Sequence, residues 1–239
     1  MKRKDIMLGR LNELLLPLGY EHITTPGING FFKVYPDYVD LFTLGFYMRL
    51  DIVDIIFSRR SFPEVAVLYN QIFEKTRYHS WAWRSKKIAI TPTIVDRETE
   101  KKGVGNYPQN LFSANYCKWL GLDTEEALFD FCDWIAFHLE NEESEFSKHY
   151  KTLPSVLEKM DELDAKGIFW GDSNLGILPW GSGAYLSGLI ISKLCNDLNF
   201  LEKYERIEAY LSKDENEEWL PYFEKLKEIL ERVEPRYNM

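Results

Sequence analysis

The run Tyr38–Arg49, YVDLFTLGFYMR, constrains the fold more than any other stretch of this chain. Val39, Leu41, Thr43 and Gly45 alternate with Asp40, Phe42, Leu44 and Phe46. Successive side chains of a strand point to opposite faces, and neither set here is cleanly polar. Such a strand is stable only where both of its faces are covered, so it predicts a central or doubly covered position. Its neighbours have the same character, rich in β-branched and aromatic residues and broken by Gly and Pro. Strands are predicted at Tyr20–Thr24, Gly30–Tyr35, Tyr38–Arg49 and Ile52–Phe57, with turns at "PGING" and "YPDY". Tyr78–Asp96 reads as one or two further strands, and Glu64–Lys75 as a helix on account of its length.

Helices frame this segment. Ile6, Leu11, Leu14, Leu15 and Leu18 fall on or near one side of an opening amphipathic helix. After Arg97–Asn110, a polar loop with a Gly-x-Gly, the pattern turns helical. Asp123 and Glu126 have capping-box spacing ahead of Leu128, Cys132, Ile135 and Leu139. Ser155–Lys166 is a helix with Pro154 in its first turn and Gly167 as its stop. Three more helices are predicted at Gly183–Asn196, Phe200–Leu211 and Asn216–Val233, the last with Pro221 near its start. The fold class is α+β: an N-terminal helix and an antiparallel sheet, followed by an acidic helical C-terminal part. The division is a sheet lobe at 1–115 and a helical lobe at 116–239, either separate or parts of one continuous domain.

Charge follows the same division. Residues 1–120 hold 17 Lys and Arg against 12 Asp and Glu; residues 121–239 hold 12 against 26, so the net charge of -9 is the sum of +5 and -14. An acidic half repels phosphates, which makes nucleic acid an unlikely partner there. It suits a basic protein partner by electrostatic steering. Arg10, Asn12 and Glu13 interrupt any signal-like apolar segment. No uncharged apolar run approaches the roughly 18 residues that span a bilayer. The three cysteines, Cys117, Cys132 and Cys195, are spaced as neither a disulfide framework nor a zinc ribbon. A cytoplasmic protein with no membrane partner is the expectation.

Catalytic templates are missing. In "ILPWGSGAYLSGLI", Gly176 and Gly181 have P-loop spacing, but Ser182 stands where lysine is required, and the third glycine of a dinucleotide fingerprint comes too late, at Gly188. The stretch reads better as a turn capped by Ser182 that leads into a helix with an Ala184, Gly188 and Ser192 strip for close packing. An anion at the backbone of Gly181, Ser182 and Gly183 is the remaining functional reading. The i,i+4 pairs His138/Glu142 and Glu145/His149 lack the HExxH pattern, so no metal and no cofactor are expected. Cys132 and Cys195 read as buried, inert thiols. The strongest ligand-binding candidates are aromatic and basic: Arg59 and Arg60 at a strand end, Trp81, Trp83 and Arg84 on another strand, and Trp170, Asp172 and Trp180 in a Gly-rich connector. If the two strands pair, arginines and tryptophans share a surface that stacks on a base, a sugar or a partner side chain. A core strand with basic flanks is the plainer alternative.

The first 100 residues also resemble a known family. "PLGYEHI" closing the first helix, "GFFKVY" in a hairpin and "VDLFTLGF" in a long strand, with Gly19, Phe31 and Phe32, are similar to a bacterial family of uncharacterised domains found near polymorphic-toxin loci. That resemblance implies an N-terminal helix, an antiparallel sheet and following helices, and an immunity- or adaptor-like role without catalytic residues. The expectation is a non-enzymatic intracellular binding protein. The alternative is an enzyme or binder of small phosphate compounds that uses the Arg/Trp surface.

Overall fold

The computed structural model describes residues 3–25, 28–47, 52–73, 83–84, 89–96, 124–141, 145–179 and 181–238. They form an α+β protein of two compact units, Met1–Arg59 with Glu98–His149 and Arg60–Arg97 with Tyr150–Met239. Strands β1 (Glu21–Thr25), β2 (Ile28–Val34), β3 (Val39–Tyr47), β4 (Ile52–Ser61) and β7 (Ile94–Val95) make one sheet in that order. Strands β5 (Trp83–Arg84) and β6 (Ala89–Ile90) form a separate antiparallel pair. The first four strands match the sequence expectation, except that β4 runs on through the basic pair to Ser61.

In the first unit, β1 pairs with β2 from Glu21↔Phe32 to Thr25↔Ile28, and β2 pairs with β3 from Ile28↔Gly45 to Val34↔Val39. The YPDY turn closes with Tyr35 N–H donating to Tyr38 O (2.8 Å) and the two rings stacked 4.6 Å apart. Phe31 and Phe32 are consecutive and so lie on opposite faces, yet both are buried; the same holds for Leu41 and Phe42. The sheet is therefore covered on both sides, as the unpatterned run requires. One cover is the pair α1 (Arg3–Leu15) and α3 (Glu125–Asn141). Met7, Leu11 and Leu15 pack with Phe131, Cys132 and Ile135 against Phe31 and Phe42. Arg10 ties the rim, donating to both carboxylate oxygens of Asp133 (2.7 and 2.9 Å). Thr124 Oγ1 accepts Ala127 N–H (3.2 Å), so the cap expected at Asp123 falls one residue later. A short α4 (Glu145–His149) ends the unit.

In the second unit, α6 (Gly183–Leu194) is central. It is buried on nearly every side and touches α2 (Pro63–Ile72), α5 (Leu153–Ala165), α7 (Phe200–Leu211) and α8 (Leu220–Leu230). A helix apolar all round has no face for solvent. Tyr69 of α2 and Phe73 just after it meet Trp219 and Tyr222 in an aromatic cluster with centroids 4.8 to 6.2 Å apart. The helix expected at Asn216–Val233 is divided. Asp214–Trp219 is a 3-10 turn, and α8 begins with Pro221 in its first turn. Pro221 has no N–H to give to the carbonyl four residues earlier; it is tolerated in the first turn of α8 but would break or kink a helix continuing from 216. The tail folds back, with Arg236 N–H and Tyr237 N–H donating to Leu194 O (2.8 and 3.1 Å) and Tyr237 O–H to Glu64 (2.9 Å).

His22 gives the first unit a pH dependence. Its ring stacks on Phe31, with centroids 4.8 Å apart, and burial pushes its pKa below the ordinary value. The unfolded chain then binds the proton more tightly than the folded one. Stability from this group is complete above about pH 6.5 and is lost as pH falls below it. His22→Phe, which keeps the stack, is expected to remove this component; urea unfolding followed from about pH 7 to about pH 5 measures it.

Candidate functional site

The structure spreads the aromatic and basic candidates among different roles. Trp81 and Trp180 lie outside the described residues. Trp83 and Arg84 form β5, whose partner is β6 at Ile90 and Ala89 rather than β4, so the pairing that would have joined them to the arginines is absent among the described strands. Arg59 and Arg60 are neighbours on β4 and point to opposite faces. Arg60 is fully buried, and its guanidinium donates to the carbonyl of Tyr150 (2.6 Å). The backbone beside it is tied to β7 by Thr93 N–H to Arg60 O (2.8 Å). Its charge is used to hold the fold together.

Trp170 belongs to the core. Its indole packs against Gly188, with two ring carbons 2.3 and 2.4 Å from where a Cβ at 188 would stand. A Cβ on Gly171 would stand 2.7 Å from the Cβ of Ala184. The Ala184, Gly188 and Ser192 strip on α6 is therefore a seat for the connector and its tryptophan. The connector is knitted by Asp172, whose Oδ1 accepts Asn174 N–H and Leu175 N–H, each at 2.8 Å. Leu178 N–H closes the loop on Trp170 O (2.9 Å). Tyr185, T-shaped to Trp170 at 6.4 Å, packs at a tilt between Phe169 and Tyr210, with centroids 4.3 and 4.8 Å away; burial is the first cause that pushes its phenol up to about 12.

The start of α6 differs from expectation. Gly181 takes φ +93, a left-handed value suited to glycine, and makes the sharp turn. Ser182 is already helical (φ -60, ψ -21) and its side chain makes no cap bond, because the turn is closed by backbone: Ala184 N–H to Gly181 O, 2.9 Å. A Cβ at Gly183 would lie 2.5 Å from the Tyr69 hydroxyl. That hydroxyl fills the space beside the first turn, and burial raises its pKa above the usual tyrosine range.

The arrangement that sequence reasoning missed is the corner between α6 and α7. Asn196 has φ +53, and Asn196 N–H and Asp197 N–H donate to Lys193 O (3.2 Å) and Ser192 O (3.0 Å). These are the two bonds of a Schellman close, with Asn in the place glycine usually takes. Asp197 Oδ1 then accepts Asn199 N–H (2.8 Å) and its Oδ2 accepts the Lys203 ammonium (2.7 Å). Lys203 is buried, is shared with Asp161 of α5, and lies 6.0 Å from the Trp170 ring centre. The signal in the sequence is the spacing Asn196-Asp197, then Asn199, then Lys203. It is legible only once the helix boundary is known.

At the tip of this corner Leu198 is 90% exposed, and Leu201 in the first turn of α7 is 65% exposed. Glu202 and Glu205 stand on the same outer side, exposed, with no hydrogen bond or ion pair among the described residues. Across 197–234 the chain has 12 Asp and Glu against six Lys and Arg. Three of those cations are taken up internally: Lys203 as above, Arg206 by Asp164 (2.8 Å) and Lys227 by Glu208 and Glu224 (2.6 and 2.9 Å). Elsewhere in this unit a groove of about 560 Å³ runs between Pro63–Leu68, Leu194 and residues 232–236. Its lining has two arginines and two glutamates, so it favours neither sign of ligand charge. Cys117 lies outside the described residues, and the two described thiols offer no nucleophile: burial pushes Cys132 and Cys195 each up to about 12. Among the described residues no group of three or more His, Cys, Asp and Glu is placed to hold a metal, and no helix is long and apolar enough to cross a membrane.

Two substitutions test these assignments by urea unfolding. Gly188→Ala should destabilise by about 1–3 kcal/mol through overpacking on Trp170, although alanine in an open helix would gain about 1 kcal/mol; adding Trp170→Leu should recover part of the loss. Asp197→Ala should cost about 3 kcal/mol, because it strips a buried ammonium of one partner and a turn of its cap.

No protein-family model, curated protein or solved structure matches this chain.

Proposed function

We propose that this chain is a non-enzymatic intracellular protein that binds a basic protein partner, in an immunity- or adaptor-like role. The observation that supports this most is the disposition of charge in the second unit. Half of the cations in 197–234 are spent on internal ion pairs. Glu202, Glu205, Glu217, Glu231 and Glu234 stay exposed without partners among the described residues. Clustered charge of one sign raises association rates with an opposite partner by about 10- to 1000-fold at low salt. The same sign disfavours nucleic acid. The enzymatic alternative loses ground because Arg60, Trp170 and Asp172 are committed to structure.

The reading is checked by capture from cell lysate on the immobilised chain at about 0.01 M and about 1 M salt, where the Debye length falls from about 30 Å to about 3 Å. Basic proteins should be held at low salt and released at high salt. A chain carrying Gln at positions 202, 205, 217 and 231 should hold fewer of them. Empty eluates at low salt, or retention indifferent to both salt and the Gln changes, would contradict it.

A further inference from the structure

We infer that the α6–α7 corner is the docking point of that partner, with Leu198 and Leu201 as apolar anchors and Glu202 and Glu205 as an acidic rim, and that the matching surface is a basic amphipathic helix. The inference rests on the protein-binding reading above and gives it an address.

Leu198 makes no staple contact with α7. It occupies the position before the α7 cap at Asn199, where an apolar residue usually packs against the fourth residue of the helix. Here that fourth residue is Lys203, which is buried with its ammonium between Asp161 and Asp197. No staple forms, and Leu198 stands 90% exposed. Nor is it on a loose loop. Asp197 is fixed on both sides by its own N–H to Ser192 O (3.0 Å) and by its carboxylate to Asn199 N–H (2.8 Å). Phe200 N–H then donates to Asp197 O (3.1 Å). A rigid corner that holds a leucine outward has already lost the backbone freedom that binding would otherwise have to remove.

Leu201 follows three residues later and adds a second exposed apolar side chain. The inner face of α7, at Lys203, Ile207 and Leu211, is buried, so Leu201, Glu202 and Glu205 are left on the outer face. Isolated exposed leucines are ordinary on protein surfaces. Two together on a fixed corner, rimmed by unpaired carboxylates, select one kind of occupant. An apolar stripe flanked by Lys or Arg buries the leucines and neutralises the rim, whereas an acidic or uniformly polar partner does neither.

The test uses the whole chain, isotopically labelled, titrated with a synthetic Leu/Lys amphipathic helical peptide and followed by amide shifts at about 0.01 M and about 0.15 M salt. Shifts are expected to concentrate at residues 196–209. Leu198→Ser with Leu201→Ser, which changes no charge and touches no core residue, should weaken binding by roughly tenfold or more. Glu202→Gln with Glu205→Gln should weaken it mainly at the lower salt. Binding that maps elsewhere in the second unit and ignores the serine changes would overturn the docking point and leave the binding role standing. No binding at either salt would overturn both.

Discussion

The second unit is organised around one buried ammonium. Lys203 is almost fully withdrawn from water, and its charge is met by Asp197 and Asp161. A buried charge with one partner removed is costly, by about 3–5 kcal/mol, so each element that supplies a partner has its position fixed by the lysine. Asp161 brings α5, Asp197 brings the end of α6, and Lys203 itself brings α7. The same ammonium lies over the indole of Trp170, and Arg206, one turn further on, lies 5.6 Å from that ring's centre. The indole in turn rests on Gly188 in the middle of α6. Ion pair, aromatic ring and glycine therefore form a single chain of contacts, and the exposed corner with Leu198 is its outer end.

The first unit shows a different logic. Its sheet has two apolar faces, and the packing of α1 and α3 on Phe31 and Phe42 satisfies one of them. Arg10 and Asp133 sit at the rim of that packing, where solvent screens them, and they fix helix register more than they add stability. His22 stacks on the same phenylalanine, and in this unit its burial makes the balance sensitive to acid.

Much of this was legible in the sequence because it depends on local pattern. The alternation in Val39–Phe46 announced a doubly covered strand, and the small residues at 184, 188 and 192 announced a close approach to their helix. Pairing across long separations was not legible. Nothing local in "SRRSF" says that Arg60 bonds the carbonyl of Tyr150, 90 residues away. Nothing in "HSWAWR" says that Trp83 faces Ile90 across a two-residue ribbon. Trp170 looked equally like a pocket wall and a core residue, because composition is the same in both. The seat at Gly188 decides it. The corner was missed for a simpler reason: Asn196 closes α6 in a left-handed conformation, and without that knowledge Asp197 is one more acidic residue in an acidic half.

The α6–α7 corner is rigid while its leucines are exposed. Amide hydrogen exchange at Asp197 and Asn199 tests it most directly, since each amide is bonded within the corner and each lies beside the solvent-exposed Leu198. Both amides should be protected nearly as well as the buried α6 backbone, with the protection of Asn199 lost in Asp197→Ala. Exchange at the rate of an open loop in the unaltered chain would contradict it.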